Sequence, residues 1–191
     1  MDFNITTVDE AKAYLEKVVA TFPEPWKTLA LVVLMDNRFW KTPGSLRYHQ
    51  FYEGGLAIHT AQVVQGLTGF LTMGNYPSLH LAQFAGIWHD YGKVRDYKQD
   101  DEGNWVSADF KFKVRHVAGS YGMLMGTVST LHMGGLIYLP NEEEFLEVSH
   151  MMLAHHGRRE WGSPVEPLTA GAWALHAADN MSARFGTGAG K

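Results

Sequence analysis

An all-α domain is the fold class this sequence predicts, and three observations carry it. Apolar residues recur at three- and four-residue spacing in one stretch after another, and Gly- and Pro-rich breaks separate those stretches. With 191 residues and 46% hydrophobic content, the chain can bury one sizeable core. No cysteine is present, so neither disulfides nor thiolate zinc sites contribute to that core.

The first helix runs from Val8 to Ala20, where Ala11, Leu15, Val18 and Val19 share a face. Pro23 and Pro25 interrupt it before a second, strongly apolar helix from about Trp26 to Trp40. Thr42-Pro43-Gly44-Ser45 reads as a loop, and Gly54-Gly55 opens a third helix that continues to about Leu71. On that helix Leu56, His59, Val63 and Leu67 align, which turns His59 toward the core. After Gly74–Ser78 a fourth helix carries Leu79, Ala82, Gly86 and His89 on one face, so His89 also points inward. The helical period disappears from Gly92 to Phe110, where a short hairpin or a long ordered loop is expected. Helical spacing returns with Val114, Val117, Tyr121, Leu124 and Val128, and again over Glu142–His156 with Phe145, Val148, Met152 and His155 in register. Glu142, Glu143 and Glu144 suit the positive end of that helix dipole. A last helix is expected from about Leu168 to Arg184, with Leu168, Ala172, Leu175 and Asp179 on one stripe. These elements divide the chain into N-terminal helices (1–47) packed on the core, a main domain (48–184) and a flexible, glycine-rich tail (185–191).

Twenty acidic against sixteen basic residues leave a net charge of −4, which excludes a bulk positive field for nucleic acid or anionic lipid. The N-terminus lacks the basic-then-apolar pattern of a secretory signal, and the apolar run Leu29–Met35 is too short to span a bilayer. A soluble, cytoplasmic protein with no membrane partner is therefore expected, a homo-oligomer being compatible.

Ten histidines without a cysteine form the chemically informative pattern. Separate helical segments direct His59, His89 with Asp90, the pair His155 and His156, and Asp179 toward one interior, and His116 opens a further segment. Burying such groups without partners costs roughly 2–7 kcal/mol even for neutral polar groups, and metal coordination offsets that cost. Imidazole and carboxylate donors suit Mn, Fe, Co, Ni or Zn better than Mg. Seven candidate ligands exceed the needs of one ion with open positions, so two adjacent metals bridged by Asp90 is the economical arrangement. Adjacent histidines on a helix diverge by about 100°, but Gly157 ends the helix there, so at least one of His155 and His156 can ligate.

The order His59, His89-Asp90-Tyr91-Gly92-Lys93, His116, His155-His156 and Asp179 resembles the HD superfamily of metal-dependent phosphohydrolases, an all-helical family. Two phrases narrow the resemblance: Tyr48-His49-Gln50-Phe51-Tyr52-Glu53-Gly54-Gly55-Leu56-Ala57-Ile58-His59, and His155-His156-Gly157-Arg158-Arg159-Glu160-Trp161-Gly162-Ser163-Pro164-Val165-Glu166-Pro167 followed by Ala178-Asp179-Asn180. Both are similar to the catalytic domain of YhaM-type 3′-to-5′ exoribonucleases, and the likeness runs from about Tyr48 to Arg184. It departs in two ways. Residues before the motif read as helices, where those enzymes carry an OB-fold module, and their double histidine before the Gly-Gly turn is half present as Tyr48-His49.

The resemblance implies that His59, His89, Asp90 and Asp179 hold one divalent transition-metal ion, Mn or Fe foremost. Asp90, His116 and one or both of His155 and His156 would hold a second. Two such ions activate water for in-line attack on phosphorus. Asp90 and Lys93 are then the expected catalytic residues, and Lys93, Arg158, Arg159 and His49 the expected substrate contacts. Trp161-Gly162-Ser163-Pro164 would form a wall for a base or a rigid turn. Between Lys93 and His116, basic and aromatic residues interleave with nearly equal acidic charge, fitting a substrate-gating loop or an oligomer contact.

The expected function is hydrolysis of a phosphoester in a nucleotide or at a nucleic-acid 3′ end. Motif similarity favours a 3′-to-5′ exonuclease on short single strands. The absent OB module and the acidic balance favour a nucleotide phosphohydrolase. A mixed-valent di-iron oxygenase and a nucleotide-sensing module are the remaining alternatives.

Overall fold

A computed structural model describes residues 4–46, 50–74 and 76–186. Among them lie nine α-helices and one two-stranded hairpin, a mostly helical architecture. Helix α1 (Val8–Val19) starts at a capping box in which Thr7 accepts from the Glu10 backbone and the Glu10 carboxylate accepts from the Thr7 N–H. Its inward stripe of Ala11, Leu15, Val18 and Val19 is the one the spacing predicts. Helix α2 (Trp26–Met35) stops short of the expected Trp40. Asp36 ends it, because its carboxylate accepts from the Arg38 backbone and guanidinium and from the Tyr91 hydroxyl (2.6 Å), folding 36–41 into turns. Trp40 then caps the preceding helix from outside, its indole N–H donating to Leu34 O.

Helix α3 (Gly55–Met73) is the axis of the fold. Every residue from Gly55 to Val64 is buried, so the helix is enclosed on all sides by α1, α4 and the C-terminal helix. Helix α4 (Leu79–Trp88) crosses it closely at Gly86, where a Cβ would lie 2.8 Å from Leu67 Cδ1. Trp26 and Phe84 pack edge to face at 4.8 Å beneath α2. Burial of each such large side chain contributes about 1.5–3 kcal/mol.

The aperiodic segment resolves as a hairpin flanked by two short helices. After α5 (Lys93–Asp96), β1 (Tyr97–Gln99) pairs antiparallel with β2 (Trp105–Ser107), placing Tyr97 opposite Ser107. Asp100 Oδ1 closes the turn by accepting from the Glu102 and Asn104 N–H groups. Helix α6 (Asp109–Lys113) follows, which the pattern does not anticipate since none of its residues is buried. Helix α7 (His116–Met133) begins two residues after Val114. Helix α8 (Glu142–Ala154) is capped by Asn141. A 3-10 turn (Arg159–Trp161) leads to α9 (Ala170–Phe185), which Thr169 caps, leaving Leu168 exposed and outside the helix. No helix among the described residues is long and apolar enough to cross a membrane. The tail from 187 lies outside the described residues.

Candidate metal centre

Five elements deliver the predicted ligands to one place. His59 comes from the second turn of α3, His89 and Asp90 from the end of α4, His116 from the first residue of α7, His155 and His156 from the end of α8, and Asp179 from the middle of α9. Gly92 makes this convergence possible, since a Cβ there would meet His116 O at 2.5 Å and Ser120 N at 2.7 Å. The Gly92 N–H instead donates to Ser120 Oγ at 2.8 Å, pinning the chain after Asp90 to the start of α7.

Asp90 occupies the middle, and its two oxygens face different partners. Oδ2 lies 3.5 Å from His59 Nε2 and 3.4 Å from His89 Nε2, while Oδ1 lies 3.3 Å from His116 Nε2 and 3.7 Å from His155 Nε2. Asp179 Oδ1 completes the first set at 3.0 Å from His59 Nε2 and 3.8 Å from His89 Nε2. His156 Nε2 completes the second at 3.1 Å from His116 Nε2. Two groups are thereby able to hold a metal ion: His59, His89, Asp90 and Asp179, and His116, His155 and His156. Both members of the adjacent pair point inward because α8 ends at them. Gly157 (φ +84°) donates to Ala154 O, and the two imidazoles cross at 76°.

The far nitrogens of four of the five candidate imidazoles face groups of the protein, which aims the near ones. His89 Nδ1–H donates to Gly86 O (2.7 Å) and His155 Nδ1–H to Met152 O (2.6 Å). Ser182 Oγ donates to Gln62 Oε1 (2.8 Å) and so accepts from His59 Nδ1 (2.9 Å), and Gln62 Nε2 in turn donates to Ile5 O. His116 Nδ1 lies 3.4 Å from Asp96 Oδ2.

The site fits a cation. His89 Nε2, Asp90 Oδ1, His155 Nε2 and His156 Nδ1 are buried without a hydrogen-bond partner, an arrangement that costs about 1–3 kcal/mol per group unless something binds them. Burial, reinforced by the neighbouring imidazoles, pushes His155 well below the usual histidine range, and burial with His116 lowers His156 to about 4. Both are thus neutral, as ligation requires. Burial alone would raise Asp90, but Lys93, His89 and His116 outweigh it and keep the carboxylate ionised. Asp179 is likewise held low against its burial by His59, His89 and His155. Burial would lower His59, yet its hydrogen bonds with Asp179 and Asp90 raise it.

The expected substrate contacts are distributed differently. Lys93 is buried with Nζ 2.5 Å from Asp90 Oδ2, inside the ligand cluster and not on its rim. Arg158 and Arg159 are exposed, the Arg158 guanidinium 5.4 Å from the Trp161 ring centroid, and neither lines the cavities that border the ligands. His49 lies outside the described residues. Asp96, Gln62, Ser182 and His176 are residues that the sequence reading does not single out. His176 Nδ1–H donates to the His155 carbonyl (2.8 Å) while its ring stacks on Trp161.

No family model and no solved structure matches the chain. The 3′-5′ exoribonuclease YhaM of Geobacillus sp. (strain WCH70) is 30% identical over 162 residues, 83% of this chain and 46% of that protein. YhaM of Bacillus subtilis is 30% identical over 164 residues, covering 83% and 48%, and that of Shouchella clausii 30% over 152 residues, covering 78% and 44%. The chain spans about half the length of the curated relatives it matches, and over most of its own length it is related in sequence to the 3′-5′ exoribonucleases YhaM.

Proposed function

We propose that this chain is a metal-dependent phosphodiesterase that releases nucleotides one at a time from the 3′ end of short single-stranded RNA. The observation that carries the reading is Asp90, whose two oxygens each face a separate set of ligands. His59, His89, Asp90 and Asp179 would hold one divalent cation, and Asp90 with His116, His155 and His156 a second. Bound there, the cations would supply Lewis acidity that activates water and polarises a phosphoryl oxygen.

The protein's own groups do the rest. Lys93, 2.5 Å from Asp90, balances the buried carboxylate charge. The hydrogen bonds at Nδ1 of His59, His89 and His155 keep their Nε2 lone pairs directed inward before substrate arrives, so little reorganisation is needed. Of the ligands, His116, His156 and Asp179 reach the surface, which makes their side the entry for a phosphodiester. In each cycle the oxygen of one water bonds to phosphorus while the P–O3′ bond breaks. One water proton ends on the departing 3′-oxygen, giving a nucleoside 5′-monophosphate and a strand one unit shorter with a free 3′-hydroxyl.

A nucleotide phosphohydrolase is the second reading, favoured by the net charge of −4. Incubating the Mn²⁺-supplemented protein with a 5′-labelled oligoadenylate and a nucleotide pool, beside Asp90→Ala, separates the two. A ladder of successively shorter labelled strands with release of AMP is expected. Conversion confined to free nucleotides would overturn the exonuclease reading.

A further inference from the structure

Two cavities border the candidate ligands, and both are lined by Trp161. One, of about 490 Å³, reaches His116 and His156 and is walled by Phe112, Trp161 and Arg115. The other, of about 330 Å³, reaches His156 and Asp179 and ends at Asn180 and Arg184. His156 and Trp161 border both, so the two cavities adjoin at these side chains. Each half falls within the size of small-molecule sites and carries one exposed arginine.

Arg115 is the unusual residue of the pair. It precedes the ligand His116 at φ +66°, ψ +156°, a backbone region almost exclusive to glycine. Arg115 is exposed and forms no ion pair among the described residues, so its guanidinium is available to an anion. The guanidinium lies beside Gly162, where an added Cβ would sit 3.6 Å from Arg115 Nη1 and 3.5 Å from His156 Nδ1. Phe112 and Trp161 present large exposed aromatic surfaces in the same cavity, and such surfaces stack bases without regard to sequence.

We propose that the Arg115 cavity binds the terminal nucleotide of a strand, its phosphate on the guanidinium and its base against Phe112 and Trp161, while the Arg184 cavity binds the adjoining nucleotide. This deepens the exonuclease reading and rests on it for the identity of the ligand. The strained backbone at Arg115 is then retained for the guanidinium, because glycine would fit the conformation better.

The test measures binding of AMP and of a phosphorothioate-linked oligoadenylate hexamer to the Mn²⁺-loaded protein by calorimetry, with melting curves for every variant. Arg115→Gly is expected to weaken AMP about tenfold or more while its melting temperature is unchanged or raised. Trp161→Ala is expected to weaken both ligands. Arg184→Gln is expected to weaken the hexamer several-fold and leave AMP within twofold. AMP affinity unchanged in Arg115→Gly, or an equal loss of both ligands in Arg184→Gln, would overturn the assignment. Cleavage of an ordinary hexamer is assayed in parallel. The expected binding pattern without cleavage would leave the subsites standing and the exonuclease reading refuted, and cleavage without the pattern would do the reverse.

Discussion

Asp96 lies 3.4 Å from His116 Nδ1, and its other oxygen is buried without a hydrogen-bond partner. The pair couples the hairpin region to the candidate metal centre, since Asp96 ends α5 and its carbonyl accepts from Ala108 beyond β2. A carboxylate behind a ligating imidazole fixes its tautomer and raises its basicity. Asp96→Asn should therefore weaken Mn²⁺ binding at the His116 set by roughly 10–100-fold and leave the His59 set unaffected, as read by calorimetric titration. Equal weakening of both sets would show that Asp96 acts on the fold as a whole.

Ser182 plays the corresponding part for His59 through the chain that runs on to Gln62 and Ile5. Removing its hydroxyl takes away the group that meets His59 Nδ1, while Gln62 Oε1 keeps the Gln50 Nε2 donor. Ser182→Ala should lower stability by about 1–3 kcal/mol in urea titration and reduce cation affinity by about tenfold or more. Wild-type behaviour in both measurements would mean that another group holds His59 Nδ1.

Gly92 tests the close approach of the segment after Asp90 to α7. Alanine there would place Cβ against the His116 carbonyl and the Ser120 amide, both backbone atoms that cannot swing aside. Gly92→Ala should cost about 1–3 kcal/mol. It should also weaken the His116 set, because His116 is displaced relative to Asp90. A variant as stable as the wild type would contradict the packing described.

Acid should destabilise the metal-free protein before carboxylates titrate. His155 and His156 are depressed by burial, the latter to about 4, so the unfolded chain takes up protons near the ordinary histidine value of about 6.5 while the fold does not. Unfolded chains then bind more protons, and stability falls as pH drops from about 6.5 toward 4. His59, raised by Asp179 and Asp90, opposes this, since its contribution is present below the ordinary range and lost as pH rises. His155 is displaced well below the ordinary range and His156 to about 4, whereas His59 is only raised, so the net effect of acid is loss, and further loss follows at lower pH as Asp90 and Asp179 protonate. Melting temperatures between pH 7 and pH 4 check the sign, and a midpoint that rises on acidification would contradict it.

Much of this was legible in the sequence where helical periodicity carried it. His59 and Asp179 sit in register with buried apolar residues, so their direction follows from spacing alone. The supporting residues passed over in the sequence carry a signal of the same kind, because Gln62 lies three residues after His59 and Ser182 three after Asp179, each on the same helical face. Asp96 carries none. It stands in a four-residue helix amid Arg95, Lys98 and Asp100, where short elements have no period and a charge reads as solvated surface. Arg115 was hidden for a different reason, since its importance lies in a backbone conformation that no side-chain pattern announces.

Counting Mn²⁺ per chain by equilibrium dialysis tests the central claim, that Asp90 joins two ligand sets, most directly. Two ions per wild-type chain are predicted, with loss from both sets in Asp90→Ala at retained helicity. A single ion per chain, or full occupancy in Asp90→Ala, would contradict the account.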